Sequence, residues 1–129
     1  MADKSKLAQH QETFNELKAL LSPYERNLSV VDKKPGRYCL ASVKDIVIAG
    51  RPRTELWFAG IMVQSSYVGF YYMPLYTTSG VKEVLDPELL KLLKGKSCFH
   101  VKQVTPSLKR HIKHALKLGF AEYKKNGWV

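Results

Sequence analysis

Four groups of side chains have the types and spacing for chemistry. Cys98 and His100 are two residues apart in an extended stretch, so they share a face and offer a soft metal two ligands. No second Cys/His pair has the spacing of a zinc site, and the pair reads as structural. His111 and His114 are helical neighbours, but the lysines and arginine around them oppose a cation, and they are expected to be solvated or backbone-bonded. Glu12 and Glu16, four apart on a helix, point the same way and are able to share a cation, although a solvated polar face explains them as well. The fourth group is aromatic: Trp57, Phe58, Tyr67, Phe70, Tyr71, Tyr72 and Tyr76 crowd two neighbouring strands.

An aromatic surface of that density has three readings. It is core, since aromatic rings dominate core energetics. It stacks bases, or it lines an apolar pocket with tyrosine hydroxyls and a basic rim. The pocket reading singles out Trp57, Tyr67, Tyr71, Tyr72 and Tyr76. No nucleophile elbow, phosphate-binding glycine loop or dinucleotide fingerprint occurs, and the sequence does not point to an enzyme.

The charge is lopsided. Of the +10 total, residues 1–90 contribute +1 (11 Lys/Arg against 10 Asp/Glu), and residues 91–129 contribute +9 (10 Lys/Arg against Glu122). Such a field attracts anions. The side chains placed to meet one are Lys94, Lys96, Lys109, Arg110, Lys113 and Lys117. The partner classes are a small anion, an acidic protein or nucleic acid.

The elements that position these groups follow from pattern. Leu7, Phe14, Leu17 and Leu21 make a helical stripe over residues 5–22, ended by Ser22-Pro23. Short strands are expected at Leu28 to Asp32, Arg37 to Val43 and Asp45 to Ala49, with turns at Lys33 to Gly36 and Gly50 to Arg53. Leu56 to Val63 and Tyr67 to Tyr76 read as the central hairpin, with pairing expected to stop near Pro74. Gly60 and Gly69 mark a bulge or a close approach to the backbone. Asp86-Pro87 opens a helix closed by Gly95, Ser97 to Val101 is a strand, and Thr105-Pro106 opens the last helix. Leu108, Ile112, Ala115, Leu116, Phe120 and Tyr123 are its buried stripe, and Trp128 is expected to fold back onto the core.

At 129 residues, 45% of them apolar and 25% charged, the chain suits a single domain, 1–129, with an ordinary core. No apolar run approaches the roughly 20 residues of a membrane helix. The N-terminus lacks an apolar signal region, so a cytoplasmic protein with no membrane partner is expected. Cys39 and Cys98 are read as small hydrophobes.

The strings GFYYMPLY, LDPELLKLLKGKSCFHVK and GFAEYKKNGW, with Phe14-Asn15-Glu16-Leu17-Lys18 near the start, resemble the YdhG-like family of small bacterial domains of unknown function. The resemblance covers most of the chain, is strongest over residues 67–128, and has KGKSCFH as its most specific block. It implies an α+β fold: a mainly antiparallel sheet with helices packed on one face. Some members are described as frataxin-like iron chaperones, which implies iron on carboxylates, here Glu12 and Glu16 with Asp3 or His10. The +10 charge opposes that role. The expected function is therefore a non-enzymatic binding domain for an anionic ligand or acidic partner, without a cofactor. The iron chaperone is the alternative.

Overall fold

The apolar stripes of the first and last helices settle on one face of one sheet. The computed structural model describes residues 2–129 except Pro35, Ala49, Thr54, Thr78, Ser79 and Lys96. The side chains of residues 2–9, Asp32, Ile48, Arg53, Tyr76 and Thr77 also lie outside the description. Helix α1 (Ala2–Leu21) runs into a 3-10 turn (Ser22–Arg26). Strands β1 (Ser29–Lys34), β2 (Arg37–Ser42), β5 (Leu56–Val63), β6 (Val68–Tyr72), β7 (Leu93–Lys94) and β8 (Cys98–Val101) make the sheet in the order β1-β2-β5-β6-β8-β7. All of its pairings are antiparallel. Short helices α2 (Pro74–Thr77) and α3 (Pro87–Leu90) lie between β6 and β7, and α4 (Pro106–Lys125) closes the chain. The architecture is α+β, with α1 against β5 and β6 and in contact with α4. No helix among the described residues is long and apolar enough to cross a membrane.

Four segments differ from the expected pattern, the first being Lys33-Lys34, which end strand β1 instead of opening the turn. Gly50 to Arg53 is not simply a turn: Arg51–Arg53 is strand β4, paired with β3 (Ile46–Ile48) in a separate two-stranded ribbon. Gly50, at φ 80°, sits in the turn between them, where glycine carries no Cβ penalty. The second strand of the central hairpin ends at Tyr72, because Pro74 starts a helical turn rather than continuing the ladder. Helix α3 is only four residues long, capped by Asp86 with Pro87 at its first position, and the chain has already turned into strand β7 before Gly95. Helix α4 matches its expected start, with the Thr105 side chain accepting from the Leu108 N–H at 3.1 Å.

The register explains the core. Leu40 pairs with Ala59 and Ala41 with Trp57, so Phe58 is the extra residue of a bulge. Strict alternation would put Phe58 opposite Ala59. Instead its ring meets Phe120 at 5.9 Å and Tyr123 at 5.2 Å, both on α4. Tyr38, Leu40, Ile61, Val68, Phe70, Tyr72, Phe99 and Val101 join it on the buried strand side of the core. Trp128 packs edge-on against Tyr123, centroids 5.1 Å apart, as expected of a residue that folds back. Cys39 is buried, Cys98 is half-buried, and neither is in a disulfide.

Gly60 and Gly119 are close approaches. A Cβ on Gly60 would sit 2.5 Å from the Cys39 Sγ. One on Gly119, in α4, would sit 2.6 Å from both the Pro74 ring and the Tyr72 hydroxyl. That hydroxyl is tied to the Ala115 carbonyl, so it cannot swing away freely. Alanine in a helix gains about 1 kcal/mol over glycine. Here the overlap should win: Gly119→Ala is expected to destabilise by about 1–3 kcal/mol, read from urea unfolding.

The buried phenols predict an alkaline limit. Burial raises the pKa of Tyr72, and burial first and the Glu25 carboxylate second raise that of Tyr38. Such phenols contribute stability in full below their unfolded value near 10, and that contribution is lost as pH rises above it. The urea midpoint should therefore hold between about pH 8 and 9.5 and fall steeply by about pH 11.

Candidate functional site

The site begins with what the end of the sheet leaves uncovered. Strand β8 finishes at Val101, and α4 does not start until Pro106, so the connection 102–105 turns over the sheet end. Beside it, α3 leads into the short edge strand β7, joined to β8 through the His100 N–H donating to the Leu92 carbonyl at 2.9 Å. Between these pieces and the start of β6 lies a cavity of about 690 Å³. Its size is that of a small-molecule site, for which about 300–1,000 Å³ is usual.

Leu92 and Leu108 give the cavity an apolar lining. One wall is the Tyr67 and His100 rings, stacked with centroids 3.7 Å apart and 10° between planes. Three lysines, Lys91, Lys94 and Lys102, stand around it and are all exposed. Thr105, the N-cap of the 20-residue helix α4, is also part of the lining, so the positive end of that helix dipole adds to the field.

The one acid among the described lining residues, Glu88, is already engaged. Its Oε2 lies 3.1 Å from the His111 Nε2 and accepts from the Ser107 hydroxyl at 2.7 Å. The same imidazole nitrogen lies 3.4 Å from Asp86 Oδ1. Among the described residues, Asp86, Glu88 and His111 are the group of three whose donor atoms converge as metal ligands would. Asp86 also caps α3, through the Glu88 N–H at 2.8 Å. The cluster thus ties α3 to the first turns of α4 and steadies one wall of the cavity.

Of the residues singled out from sequence, Lys94, Tyr67 and His100 belong to the cavity. Lys96 and the side chain of Tyr76 lie outside the described residues. Lys109, Arg110, Lys113 and Lys117 are exposed along α4, away from the cavity lining. Tyr72 is core, its hydroxyl donating to the Ala115 carbonyl. Tyr71 is half-buried, with its ring over Gly69 and its hydroxyl next to Cys98. Trp57 is half-buried, its indole N–H donating to Glu55 at 3.0 Å. The aromatic residues therefore divide between core, outer sheet face and cavity, because strand alternation and the bulge send neighbours to different sides.

Glu12 is exposed and Glu16 half-buried on α1, outside the convergent group. His10 is buried, its Nε2 without a hydrogen-bond partner among the described residues, and the side chain of Asp3 lies outside the description. His100 and Cys98 do share a face, but the imidazole is taken up by Tyr67. Burial raises the pKa of the Cys98 thiol, which keeps it protonated and a poor ligand.

Sequence reasoning missed Lys91, Lys102 and the Tyr67–His100 stack. Lys91 and Lys102 carried the same signal as Lys94, a cation beside strand β7 or β8. The stack joins residues 33 positions apart, and no local pattern announces it. No family model matches the chain, and no curated protein or solved structure matches it either.

Proposed function

We propose that this chain is a binding domain for a small organic anion with a flat or apolar body, held in the cavity between β6, β7, β8 and the start of α4. One observation carries the reading: three lysines and a helix N-terminus surround a cavity lined by leucines and a stacked Tyr67–His100 pair. An apolar lining with a few convergent polar groups is what small-ligand sites require. Among the described lining residues, three lysines stand against one carboxylate, Glu88, which is turned to His111 and Ser107. The ligand's carboxylate or phosphate would meet the ammonium groups, while its body replaces water against Leu92, Leu108 and the ring wall.

Calorimetry with 1-naphthoate and the neutral 1-naphthamide tests this directly. The acid is expected to bind at least about 10-fold more tightly, with the difference shrinking as salt rises. Equal affinity for both, or heat from neither at millimolar ligand, would sink the reading.

A further inference from the structure

A second depression lies more than a helical turn along α4 from the cavity. It is a groove of about 290 Å³ between the Ser22–Arg26 turn and the middle of α4. Its apolar lining is Leu20, Pro23, Tyr24 and Leu116, and Lys113, His114 and Lys117 stand exposed beside them. We propose that this groove docks an acidic segment of a partner protein, with one large apolar side chain of that segment seated between Lys113 and Lys117.

Size argues for a side chain. The groove, about 290 Å³, is less than half the volume of the cavity and has room for one large side chain. A single apolar anchor in a pocket, ringed by polar contacts, is the usual energetic centre of a protein interface. Charge sets the composition of the segment. Lys113, His114 and Lys117 are exposed at the groove, and Lys109, Arg110, Lys124 and Lys125 are exposed before and after it on the same helix. The only acid of α4 is Glu122. Residues four apart rise about 6 Å along a helix, so a segment lying along α4 meets cations on both sides of its anchor. Nearby Glu25 is occupied as acceptor of the Tyr38 hydroxyl.

The apolar lining favours a peptide over a polynucleotide. Three of its four residues are aliphatic or proline and offer base edges no hydrogen bond. The Tyr24 ring is already packed at 5.6 Å from Phe58 and 5.1 Å from Phe120, tilted against both, which limits it as a stacking platform.

The test is a selection of random displayed dodecapeptides on the full chain, followed by fluorescence polarisation of the enriched peptides. The expected winners carry several Asp or Glu around one large apolar residue. Their affinity should fall at least ~10-fold on K113E/K117E, and equally when the anchor is replaced by alanine. Lys113 and Lys117 are exposed, so the double variant should fold, and a K94E/K102E control in the cavity should leave peptide binding in place. No enrichment, winners without acids, indifference to K113E/K117E or to the anchor, or an oligothymidylate that outcompetes the peptides would overturn the proposal.

Discussion

Truncating Phe58 to alanine is expected to remove about 3–5 kcal/mol of folding stability, the largest loss we anticipate from one substitution. The side chain is fully buried, and its ring contacts Tyr24, Phe120 and Tyr123. These come from the turn after α1 and from the second half of α4. The bulge that places Phe58 beside Ala59 is what lets one strand residue hold both. Domains of this kind retain only about 5–15 kcal/mol in total, so the variant should sit near the edge of folding. Urea unfolding followed by Tyr and Trp fluorescence measures it. A conservative Phe58→Leu change keeps most of the apolar volume and should lose distinctly less. Equal, small losses for both would mean that the ring cluster does not hold α4 to the sheet.

Reversing Lys94 and Lys102 together should weaken 1-naphthoate binding about 100-fold and flatten its salt dependence. Each lysine offers a charge-assisted hydrogen bond, worth about 1.5–3 kcal/mol, and each reversal adds a repulsion in its place. Exposure screens part of that effect, which is why the expected loss is set near the lower end. Both side chains are exposed, so the thermal midpoint should hardly move. Binding that survives with its salt dependence intact would show that these two cations do not face the ligand.

Much of the fold is legible in the residues themselves. Asp86-Pro87 and Thr105-Pro106 announce helix starts through side chains that accept from backbone N–H groups, and both are found doing so. The apolar stripe from Leu108 to Tyr123 sets the buried face of α4. The limits of local pattern appear at Arg51–Arg53, where a proline-containing loop signature pairs as a short ribbon strand away from the main sheet. They appear again at Phe58, whose side depends on a register slip against β2 that only the partner strand determines.

The candidate site shows in the sequence as charge but not as place. The cations concentrated in residues 91–129 announce a basic region, and Lys91, Lys94 and Lys102 of the cavity lie within it. Which lysines converge depends on the 102–105 connection and on the β7–β8 pairing, both products of tertiary structure. His111 shows the same limit. Its sequence neighbours are basic, yet its partners Asp86 and Glu88 come from α3.

The most direct test of the binding-domain reading is a ¹⁵N amide map of the full chain during titration with 1-naphthoate. Saturable shifts are expected at Ser66, Tyr67, Leu92, Lys94, His100, Lys102 and Leu108, with the Lys113–Lys117 turn of α4 unmoved. Shifts centred on α4's outer face, or scattered over the surface without saturation, would contradict it.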